Sequence, residues 1–363
     1  MRRRYTTSDI LGAKDQQLPE FVADNPQQAT SNRDDMYSPE TFQHQAVRDL
    51  VWLLTTPQLC HCTAESWQIP PPDWDSLVQL DHYPNTIEAF LCGRKAQRLG
   101  HYHEQLWLFY FQQHPDLQLL ASNLVIQGKQ RTLGEFDVLI KDHRDGLTWH
   151  LELAIKFYLG TQTGWGAPEK WSHWLGVACQ DSMEHKWQRL FTQQLTLSED
   201  EEVRRKLLEH TGKNGINLIP DRSSALTRGC LFYPGSPTEG TLPEPEGMNP
   251  KHLKGQWITL QQWLKQKGQH TNDQWRICRK PHWMAPPVSP EWLPESDLVN
   301  QLINELKPSP EGTEARTAVT DRKKNKKPQM GAEGVLLENR SGERLFVVAD
   351  NWPGYLPLPW HRL

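Results

Sequence analysis

The sequence predicts a mixed α/β fold, in which helices flank a sheet of parallel and antiparallel strands. Three observations support this prediction. An apolar β-hairpin lies near the middle of the chain, amphipathic helices precede and follow it, and further short apolar strands come after residue 217. The chain has 363 residues, which is enough for one elaborate domain or two modest ones around a buried core.

The elements before the hairpin are predicted from capping residues and helical spacing. Ser38 precedes Pro39 as an N-cap residue would, and a first helix is expected to follow as far as residue 55. A stronger helix is expected over residues 99–113, because apolar residues recur there at positions 99, 102, 106, 109 and 110. Residues 117–126 contain a strand. A further helix, over 182–195, is expected after the hairpin.

The hairpin carries charged residues within an apolar pattern. Its strands are predicted over 134–140 and 149–157, with a turn at 142–146. Because side chains alternate along a strand, Glu135 and Asp137 are expected on one face of the first strand. One face of the returning strand would carry His150, Glu152, Ala154 and Lys156. A buried charge is costly unless it is paired or binds a metal, so the hairpin marks a candidate site.

The chemistry that such a set of residues supports is hydrolysis of a phosphodiester. Carboxylates on adjacent strands are hard oxygen ligands for Mg²⁺ or Mn²⁺, with waters completing the shell. A metal held in this way lowers the pKa of a bound water and stabilises charge on the leaving oxygen. A nearby lysine would orient the water or stabilise charge on the phosphate. The pattern therefore indicates nucleic acid as a partner.

The hairpin resembles the PD-(D/E)XK nuclease superfamily, whose signature is an acidic residue near the end of one strand and Glu-x-Lys on the next. Gly134-Glu135-Phe136-Asp137, followed by an apolar strand that contains a Glu, is similar to the Holliday-junction-resolvase branch. This resemblance implies a restriction-endonuclease-like core with the order α-β-β-β-α-β, extended by additional C-terminal strands.

The resemblance also implies roles for individual residues. Asp137 and Glu152 would be metal ligands, and Glu104 would be a supporting ligand from the upstream helix. Lys156 would orient the water or stabilise charge, and Glu135 would lie behind the ligands or replace one of them. Gln194, on the following helix, is a candidate for phosphate contact.

The spacing of Glu152 and Lys156 leaves two functions open. The familiar signature separates acid and lysine by two residues, roughly 6.6 Å along a strand, whereas these two are four residues apart, roughly 13 Å. One hypothesis is a metal-dependent nuclease in which a bulge shortens the gap. The other is a catalytically inactive binding or scaffold protein in which the two residues form a structural ion pair. Convergence of Asp137 with Glu152 favours the first, and a salt bridge that draws Lys156 away favours the second.

A closer resemblance covers about residues 40–363. The segments that begin at Leu99, Gly134 and Glu152 are similar in succession to a bacterial family known as domain of unknown function 1853, itself grouped with PD-(D/E)XK nucleases. Because this family has no established reaction, the resemblance implies fold and site location more than function.

The domain organisation is predicted from composition. Residues 1–38 are polar and are expected to form a disordered tail, and 39–306 are expected to form the nuclease-like domain with insertions. Residues 307–331 read as a disordered basic loop, and 332–363 as a C-terminal β-hairpin that packs back on the domain.

Net charge, apolar runs and cysteines limit which other functions and locations are expected. The net charge of −4 gives no global basic footprint for nucleic acid, although a local groove is enough for phosphate contacts. No apolar run reaches the roughly 20 residues of a membrane span, and the N-terminus lacks the apolar core of a secretory signal, so a cytoplasmic protein is expected. The six cysteines form no disulfide framework, and Cys60-His61-Cys62 lacks the second ligand pair of a zinc site. No motif identifies a protein partner.

Overall fold

The computed structural model describes residues 37–60, 66–92, 98–162, 164, 166–235, 241–266, 274–306 and 334–353. Within these residues nine strands form one sheet, which helices flank, so the predicted mixed α/β class is confirmed. Of the tail predicted over 1–38, residues 1–36 lie outside the described residues, as does the basic loop predicted over 307–331. So do His61 and Cys62 of the cysteine motif.

The described helices have the following bounds: α1 Gln45–Thr55, α2 Trp74–His82, α3 Asn85–Leu91, α4 Leu99–Gln113, α5 Met183–Arg189, α6 Glu201–Asn214, α7 Leu260–Lys265 and α8 Glu295–Leu306. The strands are β1 Leu117–Gln127, β2 Thr132–Asp142, β3 Thr148–Gly160, β4 Trp174–Gly176, β5 Arg222–Pro234, β6 Leu253–Thr259, β7 Trp275–Cys278, β8 Gly334–Asn339 and β9 Arg344–Val348. Short 3₁₀ turns cover Pro39–Thr41, Trp171–His173 and Leu197–Glu199.

The sheet has the strand order β1-β2-β3-β5-β6-β9-β8-β7, and β4 also pairs with β3. The strands β3, β5, β6 and β9 are parallel neighbours, and the remaining pairs are antiparallel. The predicted acid hairpin is β2 and β3. The central strand β5 is buried along nearly its whole length, as expected for a strand covered on both faces.

The two faces of β3 contact different helices. Leu151 and Leu159 belong to the core cluster that contains residues of α1 and α4. Tyr158 belongs to a second cluster, with Met183 and Trp187 of α5. The site described below lies along this second face, where charged side chains interrupt the apolar packing. None of the described helices is long and apolar enough to cross a membrane; the cytoplasmic location stays a prediction.

Candidate functional site

The candidate site lies at a fork in the sheet. The ladder between β2 and β3 runs from Lys141–Thr148 to Val138–Leu151 and ends there. On the same edge of β3, β4 joins later, from Tyr158 onward. Between these two ladders, residues 152–157 of β3 have no strand partner on this edge within the described part of the chain. Asp137 lies where β2 leaves β3.

Asp137 takes over the hydrogen bonding of the interrupted ladder. Its Oδ2 accepts a hydrogen bond from the backbone N–H of Leu153, at 3.1 Å. The neighbours of Asp137 on β2 contact different core clusters, Phe136 one and Val138 another, although residues two apart on a regular strand share a face. The strand therefore changes face at Asp137, and the regular alternation that we predicted for β2 does not extend through this residue.

Glu152 is held from both of its carboxylate oxygens. The side chain is 1% exposed, and its Oε1 lies 3.1 Å from Nε2 of His150. Its Oε2 accepts a hydrogen bond from Nε2 of Gln194. Burial lowers the pKa of His150 to about 4, so the imidazole is neutral near pH 7, and in the tautomer with its proton on Nε2 it donates to an ionised Glu152 carboxylate. The ring of His150 also packs edge-on against Phe136, with centroids 4.7 Å apart.

The carboxyl groups of Asp137 and Glu152 form a coupled pair. Burial raises the pKa of Asp137 to about 7, and the charge of Glu152 adds to this rise. Burial also raises the pKa of Glu152 to about 7, while the charge of Lys186 and a hydrogen bond from Asp137 oppose the rise. Neighbouring carboxyl groups with raised pKa values, one of them buried and the other half-buried, are typical of functional sites and metal sites.

The positive charge that most lowers the pKa of Glu152 is that of Lys186, on α5. Its Nζ donates a hydrogen bond to Oε1 of Gln194, at 3.0 Å, and burial lowers its pKa. The helix begins at the N-cap Ser182, whose hydroxyl accepts a hydrogen bond from the backbone N–H of His185. The exposed Arg189, at the end of the same helix, also acts on Glu152 through its charge. Lys186 was not predicted from the sequence, because no local pattern distinguishes it from other charged helix positions.

Lys156, the lysine implied by the resemblance, points to a different partner. Its Nζ forms an ion pair with Oδ2 of Asp181, just before α5. The hydroxyl of Tyr158 donates to the same oxygen, at 3.3 Å. The structure therefore separates the two lysines: Lys186 reaches Glu152 through Gln194, and Lys156 reaches Asp181.

Glu104 and Glu135 lie around the pair rather than in it. Oε1 of Glu104, on α4, accepts a hydrogen bond from Nδ2 of Asn123 at 2.6 Å, and the charge of Glu104 contributes to the raised pKa of Asp137. On β1, Asn123 lies between the residues that pair with Val138 and Phe136, the neighbours of Asp137, and it has a left-handed φ of 51°. Glu135 pairs with Val125 through its backbone, and no hydrogen bond joins its side chain to the acid pair in the described residues.

No group of three or more His, Cys, Asp or Glu side chains has the arrangement of a metal-ligand set within the described ranges. Two protein carboxylates, Asp137 and Glu152, are the donors that the structure brings together. Two carboxylates with waters are a known way to bind Mg²⁺, which keeps much of its hydration shell. The ligand role of Glu104 stays a prediction.

The fold and the site define a mixed α/β protein in which the buried Glu152 and the half-buried Asp137 converge at a fork in the sheet. A comparison with known protein families is consistent with the resemblance stated above. The chain belongs to the family described as domain of unknown function (DUF1853), whose sequence profile matches residues 48–348. No curated protein and no solved structure matches the chain.

Proposed function

We propose that this protein is a metal-dependent phosphodiesterase that acts on nucleic acid, built on a restriction-endonuclease-like core of the PD-(D/E)XK type. The observation that carries the proposal is the convergence of Asp137 and Glu152 where β2 and β3 separate. Lys186 is joined to Glu152 there through the side-chain amide of Gln194. The element order supports the core: α4 is followed by the antiparallel strands β1, β2 and β3, then by α5, and then by β5 parallel to β3.

The donors fit Mg²⁺ or Mn²⁺. Glu152 is buried and Asp137 is half-buried, both have raised pKa values, and the nearby lysine, Lys186, is joined to Glu152 through Gln194. A divalent cation is the partner that would favour ionisation of both acids. Asp137 and Glu152 would hold the ion, with Glu104 as the supporting acid. When bound, the ion supplies a water of lowered pKa and stabilises charge on the phosphodiester.

Two residues around the acids, His150 and Lys186, would orient the ligand and stabilise charge. The neutral His150 donates to Glu152 and fixes the direction of its carboxylate. Lys186 would stabilise charge that develops on the phosphate, because its ammonium group is partly buried beside the acids. Lys186 would thus serve in place of the strand lysine of the familiar signature, while Lys156 stays with Asp181.

The alternative is a catalytically inactive binding or scaffold protein with the same fold. The Lys156–Asp181 ion pair favours it, because this pair draws the strand lysine away from the acids. The hydrogen bond from Gln194 to Glu152 favours it as well, since it satisfies one oxygen without a metal. In this reading the site would be a polar network that holds α5 on the sheet.

Calorimetry with Mg²⁺ and Mn²⁺ separates the two functions. The wild-type protein is compared with the isosteric variant Asp137→Asn/Glu152→Gln. We expect saturable binding that the variant loses, followed by cleavage in a screen of branched, single-stranded and RNA substrates. A folded wild-type protein that binds neither ion at millimolar concentration would exclude the metal-dependent reaction and leave the scaffold.

A further inference from the structure

Gln194 is joined at both ends of its amide to charged groups of the site. Its Nε2 donates to Oε2 of Glu152, and its Oε1 accepts from Nζ of Lys186 at 3.0 Å. Only one orientation of the amide satisfies both partners, since a flipped amide would set its carbonyl against the carboxylate and its NH₂ against the ammonium. The two contacts therefore fix both the position and the rotation of the amide.

A π-helical turn places Gln194 in this position. The turn covers Leu190–Gln194 directly after α5, and the backbone N–H of Leu195 donates to the carbonyl of Leu190 at 2.9 Å. A π turn contains one residue more than an α turn, which rotates the following side chains by about 100° around the helix axis. Gln194 faces Glu152 because of this extra residue, while its neighbour Gln193 is exposed.

We infer that Gln194 is the positioning residue of the site. Its side-chain amide lies between Lys186 and Glu152 and keeps the ammonium group from contacting the carboxylate directly. Without the amide, the lysine would be free to pair directly with Glu152, and its ammonium would then cover Oε2, the oxygen that Gln194 contacts. With the amide in place, Glu152 stays available for a cation and Lys186 stays available for a phosphate. This inference rests on the proposed function for its purpose, but the bridge itself can be observed without metal.

The bridge is tested by NMR on protein with labelled glutamine side chains and no metal. The Gln194 side-chain amide, assigned by its loss in Gln194→Met, should have one proton shifted downfield by the carboxylate. Glu152→Gln should return this proton toward its ordinary position, and Lys186→Met should shift the amide as well. The Gln193 amide is the internal control and should not move. An amide of Gln194 that responds to neither substitution would overturn the inference.

The consequence for the site is tested by calorimetry with Mn²⁺. Gln194→Met, which keeps the length of the side chain, should weaken binding 10- to 100-fold, the usual effect of losing a partner that orients a ligand. The matched control Gln193→Met should bind like the wild type. Equal affinity in both variants would overturn the positioning role. A wild type without any binding, together with the expected amide shifts, would reject the proposed function and leave the bridge established.

Discussion

The carboxylate of Asp137 accepts the backbone N–H of Leu153, at 3.1 Å, in the place where a carbonyl of β2 would accept it if the ladder continued. The ladder ends at the pair of Val138 and Leu151, two residues before Leu153. A buried backbone N–H without an acceptor is costly, so the fork in the sheet needs an acceptor at this position. Asp137 supplies this acceptor, and its carboxyl group also makes a hydrogen bond to Glu152.

This double role predicts that two substitutions of Asp137 differ in stability. Asp137→Asn keeps a carbonyl oxygen for Leu153 and removes a charge beside Glu152, so we expect it to raise the free energy of unfolding at pH 8 by on the order of 1 kcal/mol. Asp137→Leu leaves the N–H without its acceptor and should lower it by about 1–3 kcal/mol. Urea unfolding of metal-free protein measures both, with the exposed Asp116→Asn as control. Equal loss in the two variants would contradict the assignment.

The acid pair predicts a dependence of stability on pH. In the folded protein Asp137 and Glu152 have pKa values of about 7, against ordinary values of 3.8 and 4.5. Between these limits the folded chain binds more protons than the unfolded chain, so the pair's contribution to stability is present at low pH. It should be lost as the pH rises from about 4 to about 7, by up to about 1.4 kcal/mol per pH unit for each proton.

The comparison variant for this dependence is Asp137→Asn/Glu152→Gln. His150 acts in the opposite sense, because its pKa falls from 6.5 to about 4 on folding and its contribution is lost as the pH decreases. The free energy of unfolding of both proteins is measured in urea from pH 4 to 8 without metal. Subtracting the variant curve from the wild-type curve removes the pH dependence that both proteins share. Parallel curves would mean that the two acids titrate normally. Saturating Mg²⁺ should reduce the fall in the wild type.

The parts of the site that sequence reasoning reached are those that local pattern determines. The alternation of apolar residues and the turn predicted the hairpin, and the acids within it indicated Asp137 and Glu152. Lys186 and Gln194 were out of reach in these roles, because their approach to Glu152 depends on how α5 packs on the sheet and on one extra residue in a helical turn. Asn123 was missed for a similar reason: nothing in its neighbours predicts a left-handed φ within a strand.

The two lysines give a prediction about activity. On a substrate that the wild-type protein cleaves, Lys186→Met should lower the rate constant about 10²- to 10³-fold, as expected for loss of a group that stabilises transition-state charge. Lys156→Met should lower it less than about tenfold, since its ammonium is paired with Asp181. Single-turnover cleavage measures both, and thermal unfolding establishes that both variants are folded. A larger loss of rate in Lys156→Met than in Lys186→Met would assign charge stabilisation to Lys156. The Lys156–Asp181 ion pair would then have to open when substrate binds.

The position of Glu152 also depends on how closely β5 approaches β3, and this gives a prediction about Gly229. Gly229 has a φ of 140°, and a Cβ atom on it would lie 1.7 Å from the carbonyl oxygen of Lys156. The backbone has little freedom to move apart there, because the two strands pair continuously from Trp149–Arg222 to Leu159–Phe232. Gly229→Ala should therefore destabilise the protein by more than about 4 kcal/mol or prevent folding.

The matched control for Gly229→Ala is Gly100→Ala. Gly100 lies in α4 with nothing within 4 Å of its added Cβ, so this substitution should raise the free energy of unfolding by about 0.5–1 kcal/mol. Soluble yield and urea unfolding measure both variants. If Gly229→Ala unfolded at the same urea concentration as the wild type, the register of β3 against β5 would have to differ. Glu152 would then no longer face Gln194 of the π turn, because a shift of one residue turns every side chain of a strand to the other face.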